Sequence, residues 1–270
     1  MRRMINFDCG GNQLVGTLDD ADGKTGLLIV SGGNEIRSGA YAGQAALAKH
    51  FAALGTPVFR YDRRGVGDSE GSNAGFESSA DDIAAAIAAF RKEAPLIERL
   101  IAFGNCDAAT ALAFYHDGID GLVLANPWVI EATSNQHDAP TPPSAAAVRA
   151  RYLARLKNPR SLVDLLTGKI DLRKLAGGLA KAAQKETPTG LAARLAASLT
   201  ASSVQTQLLV AERDTTALAF LGAYKTALFD AVRSRADVTL SKCDSASHSF
   251  ADAAAKTWLY DQIAHALSGA

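Results

Sequence analysis

Short apolar runs alternate with longer helical patterns along most of the chain. Residues 27–30 form a continuous apolar run, typical of a strand buried on both faces of a parallel sheet. A helical pattern follows over residues 41–54, and the alternation then continues. Further strands are predicted at 57–61, 100–104, 121–125, 207–211 and 238–241, and helices at 81–92, 108–115, 219–232 and 251–267. This order favours an α/β protein with a mostly parallel sheet and helices on both faces.

The first residues follow a different pattern. Residues 4–8 and 13–18 flank Gly10 and Gly11, which predicts an opening β-hairpin and brings the expected sheet to eight strands. In open parallel sheets, ligands bind at the carboxyl ends of the strands. Candidate chemistry is therefore sought where the predicted strands end.

A long interruption separates the strand at 121–125 from the strand at 207–211. Residues 129–204 show no clear strand, and helical patterns occur at 145–156, 161–166, 172–184 and 191–199. We therefore predict a core made of residues 1–128 and 205–270, with residues 129–204 inserted as a helical cap over the active site.

The predicted cap is strongly basic. Between Thr141 and Leu195 there are eleven basic residues and three acidic ones, an excess of eight positive charges in a chain whose net charge is zero. This surplus suggests a small-molecule acyl substrate that is anionic, and a solvated helical face is the alternative explanation. Affinity that falls as salt rises would support steering of an anion.

Cys106 lies where a strand passes directly into a helix. The segment Gly104-Asn105-Cys106-Asp107-Ala108 has the Gly-x-nucleophile-x-Gly form of a nucleophile elbow, with alanine in the last position. The backbone N–H groups at a helix N-terminus favour a thiolate, and a neighbouring histidine would favour it further. An inert, buried cysteine is the alternative interpretation.

A literal Gly-x-Ser-x-Gly motif occurs at Gly67-Asp68-Ser69-Glu70-Gly71. Several residues separate Ser69 from the end of the preceding strand, and no helix starts directly after it. We therefore interpret the segment from Asp62 to Ser69 as a structural loop, in which glycines form a tight turn and Asp and Arg side chains hold it.

Asp214 and His248 complete a candidate triad with Cys106. In hydrolases that have a nucleophile elbow, the acid and then the histidine follow the nucleophile along the chain. Asp214 lies just after the strand at 207–211, and His248 lies between the last strand and the last helix. Weaker candidates are Glu212 and Glu131 for the acid, and His137 as a pocket residue.

Backbone N–H groups for an oxyanion hole are expected at two places. The strand at 27–30 leads into Ser31-Gly32-Gly33-Asn34, where Gly33 or Asn34 could supply one donor, because glycine permits close approach of the backbone. The N–H of Asp107 would supply the second. A simple strand-to-helix turn is the alternative for the first segment.

Composition excludes several other classes of protein. The three cysteines form no Cys-x-x-Cys pair, so neither a disulfide scaffold nor a zinc site is indicated, and no cofactor is implied. Zero net charge gives no argument for nucleic-acid binding. No apolar stretch approaches a membrane span of about 20 residues, although peripheral membrane contact stays open. We expect a cytoplasmic protein; its oligomeric state is not indicated.

Three of these segments together resemble a known family. The loop Ser31-Gly32-Gly33-Asn34, the loop from Asp62 to Ser69 and the elbow Gly104-Asn105-Cys106-Asp107-Ala108-Ala109 are similar to those of the type 1 exosortase A system-associated hydrolases of bacteria. The resemblance implies the α/β-hydrolase fold and a link to exopolysaccharide and protein-sorting systems. It implies no particular substrate.

The leading functional hypothesis is hydrolysis of an ester or thioester through a Cys106–His248–Asp214 triad and an acyl-enzyme. An acyltransferase would form the same acyl-enzyme and pass the acyl group to a sugar or lipid acceptor. A non-catalytic binding or scaffold protein of a polysaccharide or sorting system is the alternative from a different class.

Overall fold

The computed structural model describes residues 1–131 and 190–269, and these contain one eight-stranded sheet. Its strands are β1 Arg2–Cys9, β2 Asn12–Asp19, β3 Thr25–Val30, β4 Val58–Tyr61, β5 Arg99–Asn105, β6 Gly121–Ala125, β7 Gln205–Ala211 and β8 Val238–Cys243. They are arranged in the order β1-β2-β4-β3-β5-β6-β7-β8. In the part of the sheet that runs from β4 through β3, β5, β6 and β7 to β8, all neighbouring strands are parallel. The two antiparallel pairs are β1 with β2 and β2 with β4. The predicted mostly parallel sheet and its opening hairpin are confirmed.

Helices cover both faces of this sheet. They are α1 Gly43–Ala53, α2 Ala80–Glu93, α3 Asp107–Phe114, α4 Gly190–Ala201, α5 Thr215–Tyr224, α6 Asp230–Arg233 and α7 Ala253–Ser268. The larger apolar core includes side chains from α2, α3, α4 and α5, and the smaller core on the other face includes side chains from α1 and α7. Because β3, β5 and β6 are buried on both faces, they read in the sequence as continuous apolar runs.

The helix predicted over residues 219–232 is wrong in its extent. The structure has α5 ending at Tyr224, a 3₁₀ turn at Ala227–Phe229 and the short helix α6. The buried rings of Phe220, Tyr224 and Phe229 pack together around this break, with centroid separations of 5.4–5.9 Å. Tertiary packing of these rings has therefore overridden a continuous helical pattern.

Most of the predicted cap, residues 132–189, lies outside the described residues. The part that is described, α4, packs against α3, and its buried residues Ala192, Leu195 and Leu199 belong to the larger apolar core. The division into a core and a cap at residues 129–204 remains a prediction. Within the described ranges, no helix combines the length and apolarity of a membrane span.

Candidate active site

Cys106 is the single residue between β5 and α3. Its backbone has φ 64° and ψ −129°, a left-handed conformation that costs a non-glycine residue about 1–3 kcal/mol and recurs at functional sites. The tight turn also explains Gly104, since a Cβ at that position would lie 2.8 Å from the carbonyl carbon of Ala108. The chain therefore makes the elbow that the sequence predicts, with Cys106 half-buried at its tip.

His248 contacts both other members of the predicted triad. Its Nδ1 lies 3.1 Å from Oδ2 of Asp214, and Cys106 lies close enough to interact with the imidazole. The bond to Asp214, followed by the interaction with Cys106, raises the pKa of His248 to about 10 from an ordinary value of 6.5. The arrangement thus favours the imidazolium form, which is the natural counter-ion of a thiolate.

Asp214 has two structural roles at once. It is the N-cap of α5, where its Oδ2 accepts from the N–H of Ala217 at 3.0 Å, and the same oxygen faces His248. The residue is only 6% exposed. The helix therefore fixes the carboxylate in position, and the carboxylate orients the imidazole.

Asn126 connects the three loops of this site, and sequence reasoning missed it. It lies just after β6, is fully buried and has a positive φ of 42°. Its side chain donates to the side-chain oxygen of Asn105 and to the carbonyl of His248, both at 3.1 Å, and accepts from the N–H of Ala211 at 2.9 Å. A polar residue directly after the apolar run 121–125 was the available signal.

The oxyanion loop meets the elbow through a side chain. Oδ1 of Asp107 accepts a hydrogen bond from the N–H of Gly33 at 2.7 Å. Gly32 must be glycine here, because a Cβ would lie 2.4 Å from this same oxygen. Asn34 is exposed, and its side-chain oxygen accepts from Asn73 at 2.7 Å. The structure therefore joins Gly33 to Asp107, whose carboxylate accepts from the Gly33 N–H, whereas the side chain of Asn34 contacts Asn73.

Arg63 also contacts the loop that contains Gly33 and Asn34. Its guanidinium donates to the carbonyl of Gly33 and, at 3.2 Å, to Oγ of Ser79. Arg63 is only 4% exposed, and among the described residues no carboxylate lies within ion-pair distance of it. A buried cation thus acts on the peptide unit that joins Gly33 to Asn34, which polarises the N–H of Asn34.

Ser69 has a structural environment in the described fold. Its hydroxyl donates to the carbonyl of Asp62 at 2.7 Å and accepts from the N–H of Val15 at 2.9 Å. The Asp62 side chain accepts from the backbone N–H groups of Arg37 and Asp68 and pairs with the Arg37 guanidinium. Ser69 is therefore a buried, hydrogen-bonded residue within a turn, and the other residues of its Gly-x-Ser-x-Gly motif are exposed.

The weaker candidate residues have other partners. Glu212 pairs with Lys242 at 3.3 Å, and Glu131 accepts from the N–H of Leu191 at the start of α4. His137 lies outside the described residues. Within the ranges 1–131 and 190–269, no three potential metal-binding side chains lie together.

A protein-family model matches most of the chain. The model, described as serine aminopeptidase, S33, matches residues 22–252. The chain belongs to this family. As a member of the S33 family it is an α/β hydrolase, which confirms the fold that the resemblance implied. The family is named for serine, whereas this member has Cys106 at the elbow.

Solved structures of other proteins have the same architecture as this S33 family member. The esterase Pf2001 of Pyrococcus furiosus is 13% identical, with a TM-score of 0.64 over 99% of this chain and 93% of that one. DcsB, solved with its substrate analogue, is 14% identical with a TM-score of 0.66 over 100% and 99%. The thioesterase domain from the curacin biosynthetic pathway is 13% identical with a TM-score of 0.57 over 98% and 99%. At these identities the likeness shows the fold alone. Among curated proteins no significant match was found.

Proposed function

We propose that the protein hydrolyses an ester or thioester through a covalent acyl-enzyme on Cys106. One observation carries this proposal. His248 lies close enough to Cys106, at the tip of the elbow, for the two side chains to interact, and Nδ1 of its imidazole lies 3.1 Å from the buried carboxylate of Asp214. A nucleophile, a base and an orienting acid in this order are the parts that acyl transfer needs.

The first half-reaction forms the acyl-enzyme. The Cys106 thiolate attacks the substrate carbonyl carbon, and the carbonyl oxygen becomes an oxyanion. When the tetrahedral intermediate collapses, the bond to the leaving alcohol or thiol breaks and His248 gives that group its proton. Asp214 holds the imidazole in the tautomer and orientation that this transfer requires.

The second half-reaction releases the acid. His248, now neutral, takes a proton from water, and the hydroxide attacks the acyl carbon. Collapse of the second intermediate breaks the carbon–sulfur bond and regenerates the thiolate and the imidazolium. Esters and thioesters suit this site better than amides, because alkoxide and thiolate leave more readily than an amine.

The N–H of Asp107 and the N–H of Gly33 or Asn34 stabilise the oxyanion in both halves of the reaction. Preorganised donors of this kind commonly make the largest single contribution to catalysis. Because the Asp107 carboxylate occupies the Gly33 donor, use of that donor requires the carboxylate to turn away. The N–H of Asn34, polarised through Arg63, needs no such movement.

The test is turnover of phenyl thioacetate and phenyl acetate by wild type, Cys106→Ala, Cys106→Ser and Cys243→Ala. Cys243→Ala is the matched control, since Cys243 is buried at the end of β8. We expect Cys106→Ala to lose about a thousandfold or more in kcat and Cys243→Ala to lose little. Rapid quenching should show the acyl group on the Cys106 peptide of wild type. Unchanged turnover by Cys106→Ala would contradict the proposal.

Two finer expectations remain predictions. The link to exopolysaccharide and protein-sorting systems is supported by the elbow and loop segments that resemble the exosortase-associated hydrolases. The anionic substrate was inferred from basic residues that, except Arg194, lie outside the described ranges; Arg194 itself pairs with Glu77. Product analysis with a sugar or lipid acceptor would distinguish acyl transfer from hydrolysis.

A further inference from the structure

A cavity of about 140 Å³ lies between α1 and α7, beside the candidate triad. We call it the α1–α7 cavity; its lining includes Glu35, Gln44, Leu47, Phe103, Phe250 and Tyr260. Asn105, which precedes the nucleophile, and Ser249, which follows the catalytic histidine, also line it. The Asn105 side chain donates to the carbonyl of His248 at 3.1 Å. The cavity and the reaction centre therefore share walls.

Glu35 places a fixed negative charge at the catalytic end of this cavity. Its carboxylate accepts from the N–H of Ala40 at 2.5 Å and from the side-chain amide of Gln44 at 2.8 Å, and Gln44 in turn accepts from Ser31. Burial raises the pKa of Glu35, which lies close enough to His248 to feel its charge. Among the described residues no lysine or arginine lies within ion-pair distance of Glu35.

The rest of the lining suits the body of a small organic cation. Leu47, Phe103 and Phe250 supply buried apolar surface. The Tyr260 hydroxyl is buried and has no hydrogen-bond partner within the part of the chain that the structure describes. Lys256 is exposed at the rim, with its Nζ 5.5 Å from the centroid of the Tyr260 ring, so water screens its charge more than that of half-buried Glu35.

The size of the cavity limits what it can hold. A protein cavity of about 150 Å³ accommodates one benzene molecule, so the α1–α7 cavity fits a group of roughly six non-hydrogen atoms. A long acyl chain would exceed this volume. A short arm with a positive charge at the end that meets Glu35 would fit both the volume and the charge.

We propose that the α1–α7 cavity binds a short cationic arm of the substrate, with an ammonium group against Glu35 and its aliphatic part against Leu47, Phe103 and Phe250. This inference rests on the proposed function in one respect, because it takes the reacting carbonyl of the substrate to lie at Cys106. It opposes the anionic substrate that the sequence predicted, and the two can be separated by experiment.

The test compares three amides that are alike in length and differ in charge. They are 4-(trimethylammonio)butanamide, its neutral isostere 5,5-dimethylhexanamide, and the anionic glutaramate. Binding to the full-length Cys106→Ala variant is measured by isothermal titration calorimetry, so the readout does not depend on turnover. We expect the cationic amide to bind about tenfold more tightly than the neutral one. Equal binding of the first two, preference for glutaramate, or no binding of any amide would overturn the proposal.

Matched variants test whether the preference for the cationic amide comes from Glu35. In the same background, Glu35→Gln should reduce the ratio of the two affinities to about one, because the amide oxygen keeps one of the two accepted hydrogen bonds and the charge is lost. Glu98→Gln, which removes an exposed carboxylate before β5, should leave the ratio unchanged. A ratio that survives Glu35→Gln would overturn the assignment. Circular dichroism melts check that each variant is folded.

A second pair of measurements separates this inference from the proposed function. Phenyl thioacetate carries no positive charge, so its hydrolysis by wild type tests the chemistry without the contact to Glu35. Ala46→Phe adds a ring to the cavity lining from α1 and should weaken binding of the cationic amide several-fold. Unweakened binding in Ala46→Phe would contradict the assigned location.

Discussion

The carboxylate of Asp107 accepts a hydrogen bond from the N–H of Gly33 at 2.7 Å. This oxygen therefore occupies a backbone donor that the sequence assigns to the oxyanion of the reaction. It binds the donor as an anionic intermediate would, and it must leave before an intermediate can use that donor.

Asp107→Ala should therefore raise kcat for a small neutral ester. A charged hydrogen bond contributes about 1.5–3 kcal/mol, so removing the competitor should give an increase of about tenfold to a hundredfold. Asp107→Asn, which keeps an acceptor oxygen without the charge, should lie between Asp107→Ala and wild type. Steady-state kinetics on phenyl acetate measures both. A fall in kcat in both variants would mean that the carboxylate takes part in the chemistry.

Arg63→Met should lower kcat more than it changes KM. The variant removes the buried cation from the carbonyl of Gly33, so the N–H of Asn34 becomes a weaker donor to the transition state. We expect a loss of about tenfold to a hundredfold in kcat. Ser79→Ala is the control, because it removes the other contact of the guanidinium and leaves the contact with Gly33. Equal losses in the two variants would show that Arg63 matters only for stability.

Asn126→Ala should destabilise the fold and disorder the site together. The side chain makes three buried hydrogen bonds, each with a net value of about 0.5–1.5 kcal/mol, so the free energy of unfolding should fall by about 2–4 kcal/mol. Urea unfolding measures the change. Asn73→Ala, at an exposed contact with Asn34, should cost less than about 0.5 kcal/mol. Similar values for the two variants would refute the connecting role of Asn126.

Asp214→Asn should lower the pKa of His248 from about 10 towards 6.5, because the bond to Asp214 is the largest cause of the increase. In wild type, protonated His248 contributes stability that is complete below pH 6.5 and is lost as the pH rises through 10. The variant should lose this contribution at a lower pH. An NMR titration of the His248 ring protons gives both pKa values, and unshifted titration in the variant would contradict the assigned cause.

The sheet could be predicted well from the sequence because its central strands are buried on both faces. The apolar runs at β3, β5 and β6 have the length and composition of strands buried on both faces, and they are too short for buried helices. The division of residues 219–232 could not be predicted in the same way. Packing of Phe220 against Phe229 depends on a contact across the break, which no local pattern records.

The candidate triad was accessible to sequence reasoning because each member follows a strand. Cys106, Asp214 and His248 come after β5, β7 and β8, and parallel strands bring their carboxyl ends to one edge. Arg63 and Glu35 were not accessible, since their roles depend on hydrogen bonds between segments distant in sequence. The Asp107 contact with Gly33 is of the same kind. Asn126 left one signal, its position directly after the apolar run of β6.

Alkylation of Cys106 across pH tests the central claim most directly. Wild type and His248→Ala receive a brief, limiting dose of iodoacetamide, and labelled peptides are quantified by mass spectrometry. Cys9 and Cys243 are internal controls, because burial raises the pKa of Cys9 to about 11 and also raises that of Cys243. We predict rapid labelling of Cys106 in wild type at about pH 6 and slow labelling at that pH in His248→Ala, because the histidine favours the reactive thiolate. Slow labelling of wild-type Cys106 at pH 6, unaffected by His248→Ala, would contradict a thiolate primed by His248.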